Sequence, residues 1–491
     1  MRKINRKVVR RILGGMLLLG GIIGFFVWYK FFRDVRVSYA DDDENFKYGS
    51  IANEGNTGMP YLLWKALPEL CPQHLPGPGG YASLGMVYEG RDVPIGISVR
   101  TIGFQRAAIN CAFCHVSTVR DEPGAAPQIL LGATSGQLDV EGYTRFLWAC
   151  AGDPRFTPDG VVEAIRRTDK LSWVDEQIYR HLLVPRTRQA LLQQRDQMTA
   201  WMDAYLPSVG HRRPRWGRGR IEPFNPVKFH MLNLPLDETI GVADMQPIWE
   251  MTPSVQGNYS YHWDGLNDSL REVADSSALG DGATPSSFES EHIRRLERWM
   301  TRAAAPQYPY AVDRALADEG RRVYVSAGCA ECHDVGGTRY RTVIPVDEKE
   351  LRTDPFRVQM WTPEAADAYN RYAEGTELDF DRFRSTTGYL ATPLHGLWAT
   401  GPYLHNGSVP TLWHLLTPAE RPRVFYRGLD VVDRKRGGFV HDAPDAAELA
   451  RKGLLSRYDT SEPGNGNQGH TYGAGLSRDD KMAIIEYLKT L

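Results

Sequence analysis

The sequence predicts a chain of helical domains behind a single membrane-spanning helix. With 491 residues and a formal net charge of −2, it is too long for one ordinary hydrophobic core and lacks the basic excess of nucleic-acid-binding proteins. An uncharged run near the N-terminus is long enough to cross a bilayer. Two similar pentads, CAFCH at 111–115 and CAECH at 329–333, lie far apart in the chain, which favours one in each of two domains.

The N-terminal segment is predicted to be an uncleaved membrane anchor. Six Lys and Arg residues between Arg2 and Arg11 precede the uncharged run from Ile12 to Tyr29. By the positive-inside rule these cations stay in the cytoplasm, so the bulk of the chain is predicted to face the periplasm from the inner membrane. A cleaved signal peptide is the alternative, with its small-x-small site at 38–40. A buried soluble helix is a weaker third interpretation.

The pentads predict covalently attached haem. Two thiols on one turn of helix can form thioethers with the two vinyl groups of a haem, and the following histidine then binds the iron. A redox CxxC pair does not need the histidine, and a structural zinc site needs four protein ligands. Two haem c groups are therefore the predicted cofactors. Their predicted attachment and proximal residues are Cys111, Cys114 and His115 for the first haem, and Cys329, Cys332 and His333 for the second.

Two cysteines remain outside the pentads, Cys71 and Cys150. In an oxidising compartment they can form a disulfide that brackets the first pentad. Sequence does not give their separation, so two buried free thiols remain the alternative.

The chain divides into four predicted segments. They are a cytoplasmic stub and anchor at 1–35, a polar linker at 36–58, an N-terminal haem c domain at 59–305 and a C-terminal cytochrome c domain at 306–491. Two prolines in the stretch 301–313 interrupt any helix and mark the domain boundary.

Periodicity predicts helices in both domains. In the first, apolar residues recur at three and four positions over 160–180 and 187–205. The basic run HRRPRWGRGR at 211–220 is predicted to be a solvated loop, with contact to anionic headgroups or a partner protein as the alternative. In the second, an amphipathic helix leads into the pentad, and a terminal helix follows a cap at Ser477. This is the ordinary cytochrome c arrangement.

The sixth iron ligands decide whether each haem only transfers electrons or also binds small oxidants. Small cytochromes c present this ligand just before the terminal helix, where the sequence offers His470. A bis-histidine second haem is therefore predicted, with His405 as the alternative. For the first haem, no histidine occurs between His115 and His181, and an open position is predicted over the weaker candidates His230, Met245 and His262.

Several longer stretches resemble the bacterial dihaem cytochrome c peroxidase superfamily, and most closely its rubber oxygenase branch. They are the two pentads, DVPIGISVRTIGFQRAAINCAFCH, HWDG, ATGPYLHNGSVPTL and GHTYGAGLS. The resemblance spans most of residues 60–491. It implies a mainly α protein with two cytochrome c-like haem domains, long loops and an active site at the N-terminal haem. It also implies that Trp263, in the matching WDG segment, passes electrons between the haems.

This chain departs from the peroxidases at two places. It has no displaceable histidine after the first pentad, and the stretch that carries a distal glutamate in those enzymes is DSSALGDGATP here. Glu272 lies nearby but outside that pattern, and peroxide cleavage needs a base, so ordinary peroxidase activity does not carry over from the resemblance. Ala278 and Leu279 fall where rubber oxygenases have an apolar distal lining. Those that degrade rubber are released to reach their polymer, so polyisoprene cleavage does not carry over to a tethered chain.

The predicted function is a membrane-anchored periplasmic dihaem oxidoreductase. His115 and Trp263 are its predicted catalytic residues, and dioxygen or peroxide is its predicted oxidant. A redox partner protein or a quinol-linked donor is expected to supply electrons. A non-catalytic dihaem electron carrier is the principal alternative, and a haem-based gas sensor is a third.

Overall fold

The computed structural model describes residues 6–251, 259–333, 343–378 and 380–491. Its helices are α1 (Arg6–Phe31), α2 (Asp42–Tyr48), α3 (Tyr61–Leu70), α4 (Cys111–Cys114), α5 (Val140–Gly152), α6 (Pro158–Thr168), α7 (Trp173–Ile178), α8 (Val184–Met202), α9 (Phe224–Pro226), α10 (Leu270–Gly280), α11 (Ser290–Arg302), α12 (Arg314–Ser326), α13 (Cys329–Cys332), α14 (Phe356–Met360), α15 (Pro363–Ala373), α16 (Leu412–Leu416), α17 (Ala446–Arg451) and α18 (Arg478–Leu488). Its strands are β1 (Asp34–Val35), β2 (Met59–Pro60), β3 (Ile97–Ile102), β4 (Phe104–Ile109), β5 (Val116–Val119), β6 (Gln128–Leu131), β7 (Tyr205–Leu206), β8 (His211–Arg212), β9 (Arg220–Ile221), β10 (Ala243–Asp244), β11 (Val343–Pro345), β12 (Gly388–Leu390), β13 (Val424–Arg427) and β14 (Ser456–Asp459).

α1 is long and apolar enough to cross a membrane. Its segment Arg10–Phe31 has 22 residues with a mean hydropathy of 2.0, and none of it is buried in the protein. The chain then enters β1, the edge strand of an antiparallel sheet ordered β1-β3-β4-β2. The hairpin of β3 and β4 leads directly into the first pentad helix, α4. The sheet therefore connects the end of the apolar helix to the first predicted haem site.

The segment predicted to be a linker, 36–58, is packed into the protein instead. It contains α2, whose N-cap Asp41 accepts a hydrogen bond from the Glu44 backbone N–H at 2.9 Å. The Phe46 ring is 1% exposed and stacks on Trp299 of α11 with ring centroids 3.7 Å apart. The acidic residues that suggested a solvated connector are therefore the capping turn of a helix.

The first core lies among α3, α5, α6 and α8 and includes Trp64, Phe146 and Trp201. Cys71 and Cys150 form a disulfide within it, with Cα atoms 5.6 Å apart. This confirms the predicted pairing over the free-thiol alternative. It ties the end of α3 to α5 across a sequence separation of 79 residues.

The helix predicted over 160–180 is divided, whereas the second prediction is largely confirmed by α8. α6 ends at Thr168 and α7 begins after its N-cap Ser172, whose hydroxyl accepts from the Asp175 backbone N–H at 3.1 Å. Local side-chain capping therefore outcompetes the continuous apolar periodicity.

The basic run 211–220 is not a solvated loop. Arg213, Arg218 and Arg220 are each less than 5% exposed. The Arg218 guanidinium, for example, donates to the backbone carbonyls of Gln137 and Ser83 at 2.6 and 2.7 Å. Because each guanidinium offers five donors, these arginines bind loop carbonyls that lack partners in regular structure.

The second pentad lies in a helical core formed by α12, α16 and α18, with Tyr324, Leu412 and Ile485 buried in it. α12 and the terminal helix α18 begin as predicted, at the N-caps Asp313 and Ser477. They cross at Gly320, where an added Cβ would lie 1.9 Å from the Ala483 carbonyl oxygen.

A further core joins parts of the two predicted domains. Met360 of α14, Tyr369 of α15 and Trp361 between them pack with Leu270 and Leu279 of α10. Part of the predicted second domain therefore supports the helix that carries the predicted distal lining of the first haem site.

Candidate functional site

The first pentad forms a one-turn helix that is fixed at its N-terminus. Asn110 caps α4 by accepting from the Ala112 backbone N–H at 3.0 Å, while its amide donates to the Gly49 carbonyl at 2.9 Å. One helical turn places Cys111 and Cys114 on the same face, as thioether attachment to one haem requires.

His115 follows this turn with one ring nitrogen occupied by the protein. Its Nδ1 lies 2.9 Å from the Gln246 carbonyl oxygen. Burial lowers the pKa of His115 to about 4, although the Gln246 hydrogen bond opposes that shift. The imidazole is therefore neutral with Nδ1 protonated, which leaves Nε2 as a metal ligand.

The second pentad repeats this arrangement. α13 begins after Gly328, which adopts the left-handed conformation, and His333 ends the turn. The His333 Nδ1 lies 3.0 Å from the Thr392 carbonyl oxygen, and burial lowers its pKa. The Tyr324 hydroxyl donates to the His333 carbonyl at 2.7 Å and fixes the backbone. Both histidines thus present Nε2 as the free ring nitrogen.

His470 lies opposite His333. Their ring centroids are 6.3 Å apart. Since metal–imidazole bonds are about 2 Å long and a ring centre lies about 1 Å beyond its nitrogen, this separation suits one metal ion between the two rings. Burial, with smaller contributions from His333 and Arg421, lowers the pKa of His470 to about 3, so it too is a neutral ligand.

The loop that carries His470 is held by its backbone. The His470 N–H donates to the Leu351 carbonyl at 2.7 Å. The Arg421 guanidinium donates to the carbonyls of Asn467, Gly469 and His470 at distances from 2.6 to 3.1 Å. His470 also has a positive φ of 46°, a conformation that needs such support in a residue with a side chain.

His405, the alternative ligand, has different surroundings. Its ring stacks on Tyr389 with centroids 4.0 Å apart. It is 4% exposed, and its Nε2 has no hydrogen-bond partner among the described residues. A buried imidazole nitrogen of this kind suits an acidic group of a bound cofactor.

A cavity of about 310 Å³ contains the second site and extends toward Trp263. The residues that matter for haem binding line it: Cys329, His333, His470, His405, Tyr389 and Trp263. Most of the remaining lining is apolar. A concave apolar cavity with a few convergent polar groups is the usual form of a cofactor site.

Trp263 lies on a short hydrogen-bonded link between the two proximal histidines. Its indole N–H donates to the Asp244 carbonyl at 2.7 Å, and Asp244 is two residues from Gln246, which binds His115. On the other side, the Leu390 N–H donates to the Trp263 carbonyl at 2.8 Å, and Leu390 is two residues from Thr392, which binds His333.

Two buried ion pairs fix this link. The carboxylate of Asp244 binds Arg427 at 2.5 Å, and the carboxylate of Asp264, next to Trp263, binds Arg357 at 3.2 Å. All four side chains are at most 3% exposed. Burial raises the pKa of Asp244 to about 6, and Arg427 counteracts part of that shift. Buried pairs of this kind restrict the backbone to one arrangement.

The predicted apolar residues of the first site lie at the end of α10. Ala278 and Leu279 are 0% and 1% exposed. Glu272 binds the Asn267 amide at 2.8 Å and so belongs to the capping turn of α10. Of the weaker ligand candidates, His230 is exposed, and the His262 ring packs edge-on against Phe224 at 5.3 Å.

Asp281 is a residue of the first site that the sequence did not reveal. It follows α10. The side-chain amide of Asn53 donates to the backbone carbonyl oxygens of Asp281 and Ile109, at 2.8 and 2.9 Å. Burial raises the pKa of its carboxyl to about 7. Burial also raises the pKa of Cys111 and Cys114, and the nearby Asp281 carboxyl adds to both shifts. The ALGDG motif carried no spacing signal for this placement.

Comparison with known proteins supports a haem c protein. A family model described as RoxA-like, cytochrome c-like matches residues 388–426, the stretch that contains Thr392 and His405. The uncharacterized proteins y4iJ and y4iM of Sinorhizobium fredii (strain NBRC 101917 / NGR234) are 30% and 32% identical over 266 and 290 residues. These alignments cover 40% and 51% of this chain, and 42% and 64% of the two relatives. The chain thus carries a RoxA-like cytochrome c domain, which implies haem c.

Proposed function

We propose that this chain is a membrane-anchored periplasmic oxidoreductase with two covalently attached haems. The N-terminal haem is open to dioxygen or peroxide, and the C-terminal haem is bis-histidine and exchanges electrons with a redox partner protein or a quinol-linked donor. The supporting observation is the repeated site geometry: in both pentads the histidine binds a backbone carbonyl through Nδ1 and leaves Nε2 free.

The residues fit two haem c groups. Cys111 and Cys114 would attach the first, and Cys329 and Cys332 the second. Each site offers a proximal Nε2, and the second site adds the apolar cavity and the unpartnered Nε2 of His405. When bound, such a group supplies one-electron redox chemistry and, where an axial position is free, binding of a small oxidant.

The second site is suited to electron exchange. His470 lies opposite His333 with ring centroids 6.3 Å apart, so these two imidazoles would together hold a bound haem. With both positions filled by imidazole, such a site favours electron transfer over oxidant binding. The link through Trp263 then connects this site to His115 by hydrogen bonds and short backbone segments.

The first site is suited to an apolar substrate or dioxygen. Ala278 and Leu279 exclude water, and Glu272 is engaged in a helix cap. Glu272 is therefore not available as a peroxidase base, and the carboxyl that the structure brings near the first pentad is that of Asp281. An electron carrier remains the second candidate, because the link through Trp263 does not require an open iron.

Carbon monoxide binding to the fully reduced protein tests the proposal. Total haem is counted from the pyridine haemochrome, and the carbon monoxide complex is counted from the Soret band. Binding to half of the haem is expected. Cys111→Ser with Cys114→Ser removes the first attachment site and should abolish binding, whereas the matched change at Cys329 and Cys332 should not. Two closed haems would show no binding and would identify an electron carrier.

A further inference from the structure

We propose that the surface around the end of α1 rests in the headgroup region of the bilayer and fixes the orientation of the haem domains on the membrane. This surface, the anchor collar, consists of Phe32, Val35, Val37 and Trp173. The inference rests on the proposed anchoring by α1. It adds that the folded domains contact the lipid surface. A flexible linker after α1 would instead leave their orientation on the membrane undefined.

Direct contacts hold the end of α1 against the folded protein. The Lys30 ammonium binds the Asp175 carboxylate of α7 at 2.6 Å. The Gly103 N–H, at the tip of the β3–β4 hairpin, donates to the Arg33 carbonyl at 2.7 Å. Gly103 has a positive φ of 74°, and an added Cβ would lie 2.5 Å from the Phe31 backbone. Because the hairpin and α7 both touch the last turn of α1, the membrane surface must lie beside them.

The segment after α1 alternates charged and apolar residues. Residues alternate between two faces in extended backbone. Asp34 and Arg36 form ion pairs with Arg100 and Glu289, whose side chains are 7% and 13% exposed. Val35 and Val37 are 40% and 42% exposed. Asp34 and Arg36 are themselves 40% and 62% exposed, so their ion pairs hold this segment against the protein while charged and apolar side chains both remain at its surface, a mixture typical of a membrane interface.

Trp173 extends this apolar surface to α7. Its side chain is 74% exposed, and it lies two residues from Asp175, the partner of Lys30. A tryptophan ring exposed to water lacks the large favourable free energy that comes from burying its apolar surface. At a membrane interface the ring is buried among the headgroups, and tryptophan is enriched there. Outside α1, the exposed large apolar side chains of the described residues are Phe32, Val35, Val37, Tyr88, Trp173, Tyr205, Leu236 and Val325. Half of them form the anchor collar.

The cations around the collar favour lipid over a protein partner. Arg36 is 62% exposed on its side chain, and Lys170 is exposed three residues before Trp173. Together with Arg33 they place cationic side chains at the depth of the lipid headgroups, whereas the Lys30 ammonium is paired with Asp175. Aromatic rings with flanking cations at the end of a transmembrane helix form the usual interfacial belt.

Site-directed spin labelling of the full-length chain in nanodiscs of phosphatidylethanolamine and phosphatidylglycerol tests the proposal. Trp173→Cys and Val37→Cys each supply a thiol for a nitroxide, and Tyr205→Cys, at a site 58% exposed, is the matched control. The chain without an added cysteine is treated with the same label, and its signal measures the labelling of native cysteines. Power-saturation spectroscopy then compares collisions with dioxygen, which partitions into lipid, and with a water-soluble nickel chelate.

At positions 173 and 37 the collision rate with dioxygen should exceed that with nickel chelate, and at position 205 the order should reverse. If the protein remains with the nanodisc but all three positions are equally accessible to the nickel chelate, the anchor collar does not contact the lipid. The proposed anchoring by α1 would still stand. Failure of the chain to remain with the nanodisc after carbonate extraction would refute the anchoring itself, and the docking with it.

Discussion

At the scale of single residues, the proposed ligand role of His470 predicts the spin state of the proposed second haem. His470→Gly removes the imidazole opposite His333 without adding bulk, so the second haem should change from low to high spin while both haems stay attached. The change is measured by visible absorption and electron paramagnetic resonance of the oxidised protein. His405→Gln is the control and should leave the spin state unchanged. The opposite outcome, an effect of His405→Gln alone, would assign the ligand to His405.

A second residue-scale prediction concerns Asp275, a carboxylate inside α10 with 2% side-chain exposure. Burial raises its pKa to about 7, and its ion pair with Arg271 at 3.5 Å opposes that shift only in part. The folded pKa exceeds the unfolded value near 3.8, so the folded protein holds a proton that the unfolded chain releases. Stability is therefore lost as pH rises from about 4 through about 7.

Asp275→Asn removes this titration while keeping the shape of the neutral side chain. The variant should match the wild type near pH 4 and exceed it by about 1–3 kcal/mol at pH 8, measured by denaturant unfolding across that range. Asp381→Asn, at a side chain 82% exposed, is the control and should show no such trend. A stability difference that is the same at all pH values would contradict the prediction.

The site residues that the sequence could predict were those in motifs with a fixed spacing between residues. The pentads specify their own chemistry, because CxxCH places two thiols and an imidazole within one helical turn. Asp281 could not be predicted, since its position results from a hydrogen bond by Asn53 to two segments far apart in the chain. The buried arginines of 211–220 were missed for a related reason: their carbonyl partners lie in loops that come together only on folding.

At the scale of elements, the crossing of α12 and α18 depends on Gly320. Gly320→Ala places a methyl group against the Ala483 carbonyl, so α12 and α18 must separate. We expect a loss of about 1–3 kcal/mol in the free energy of unfolding. The added methyl group meets a backbone carbonyl, so no side-chain rotation can relieve the clash. Gly280→Ala is the control, because an added Cβ there meets nothing within 4 Å. Equal effects of the two changes on denaturant unfolding would contradict this packing.

Elements with local signals were the ones the sequence predicted well. α12 and α18 begin at capping residues and show an apolar stripe, and both were located correctly. The helix over 160–180 was predicted as continuous because its apolar spacing continues through a break that Ser172 caps. α2 was missed because its acidic first turn resembles a solvated linker, and only packing of Phe46 on Trp299 identifies it as structure.

At the scale of the whole molecule, the link through Trp263 predicts a path for electrons between the two proposed haems. Trp263 joins the carbonyl of Asp244 to the N–H of Leu390, and these two segments hold His115 and His333. Neither connection is visible in sequence, because Gln246 and Thr392 act through backbone carbonyls, whose partners a sequence motif does not specify. Their placement follows from the buried ion pairs that fix the surrounding loops.

Trp263→Phe tests this link, because it removes the indole N–H and shortens the ring while keeping an apolar side chain. After rapid mixing of the reduced protein with dioxygen, reoxidation of the low-spin haem should be roughly tenfold slower, the effect of about 1.4 kcal/mol on the activation barrier. Trp249→Phe is the control, since that indole lines the same cavity but donates to His395 at 3.0 Å, off the link. If both variants slow reoxidation equally, cavity packing and not the link controls the rate. If neither does, electrons pass between the sites without Trp263.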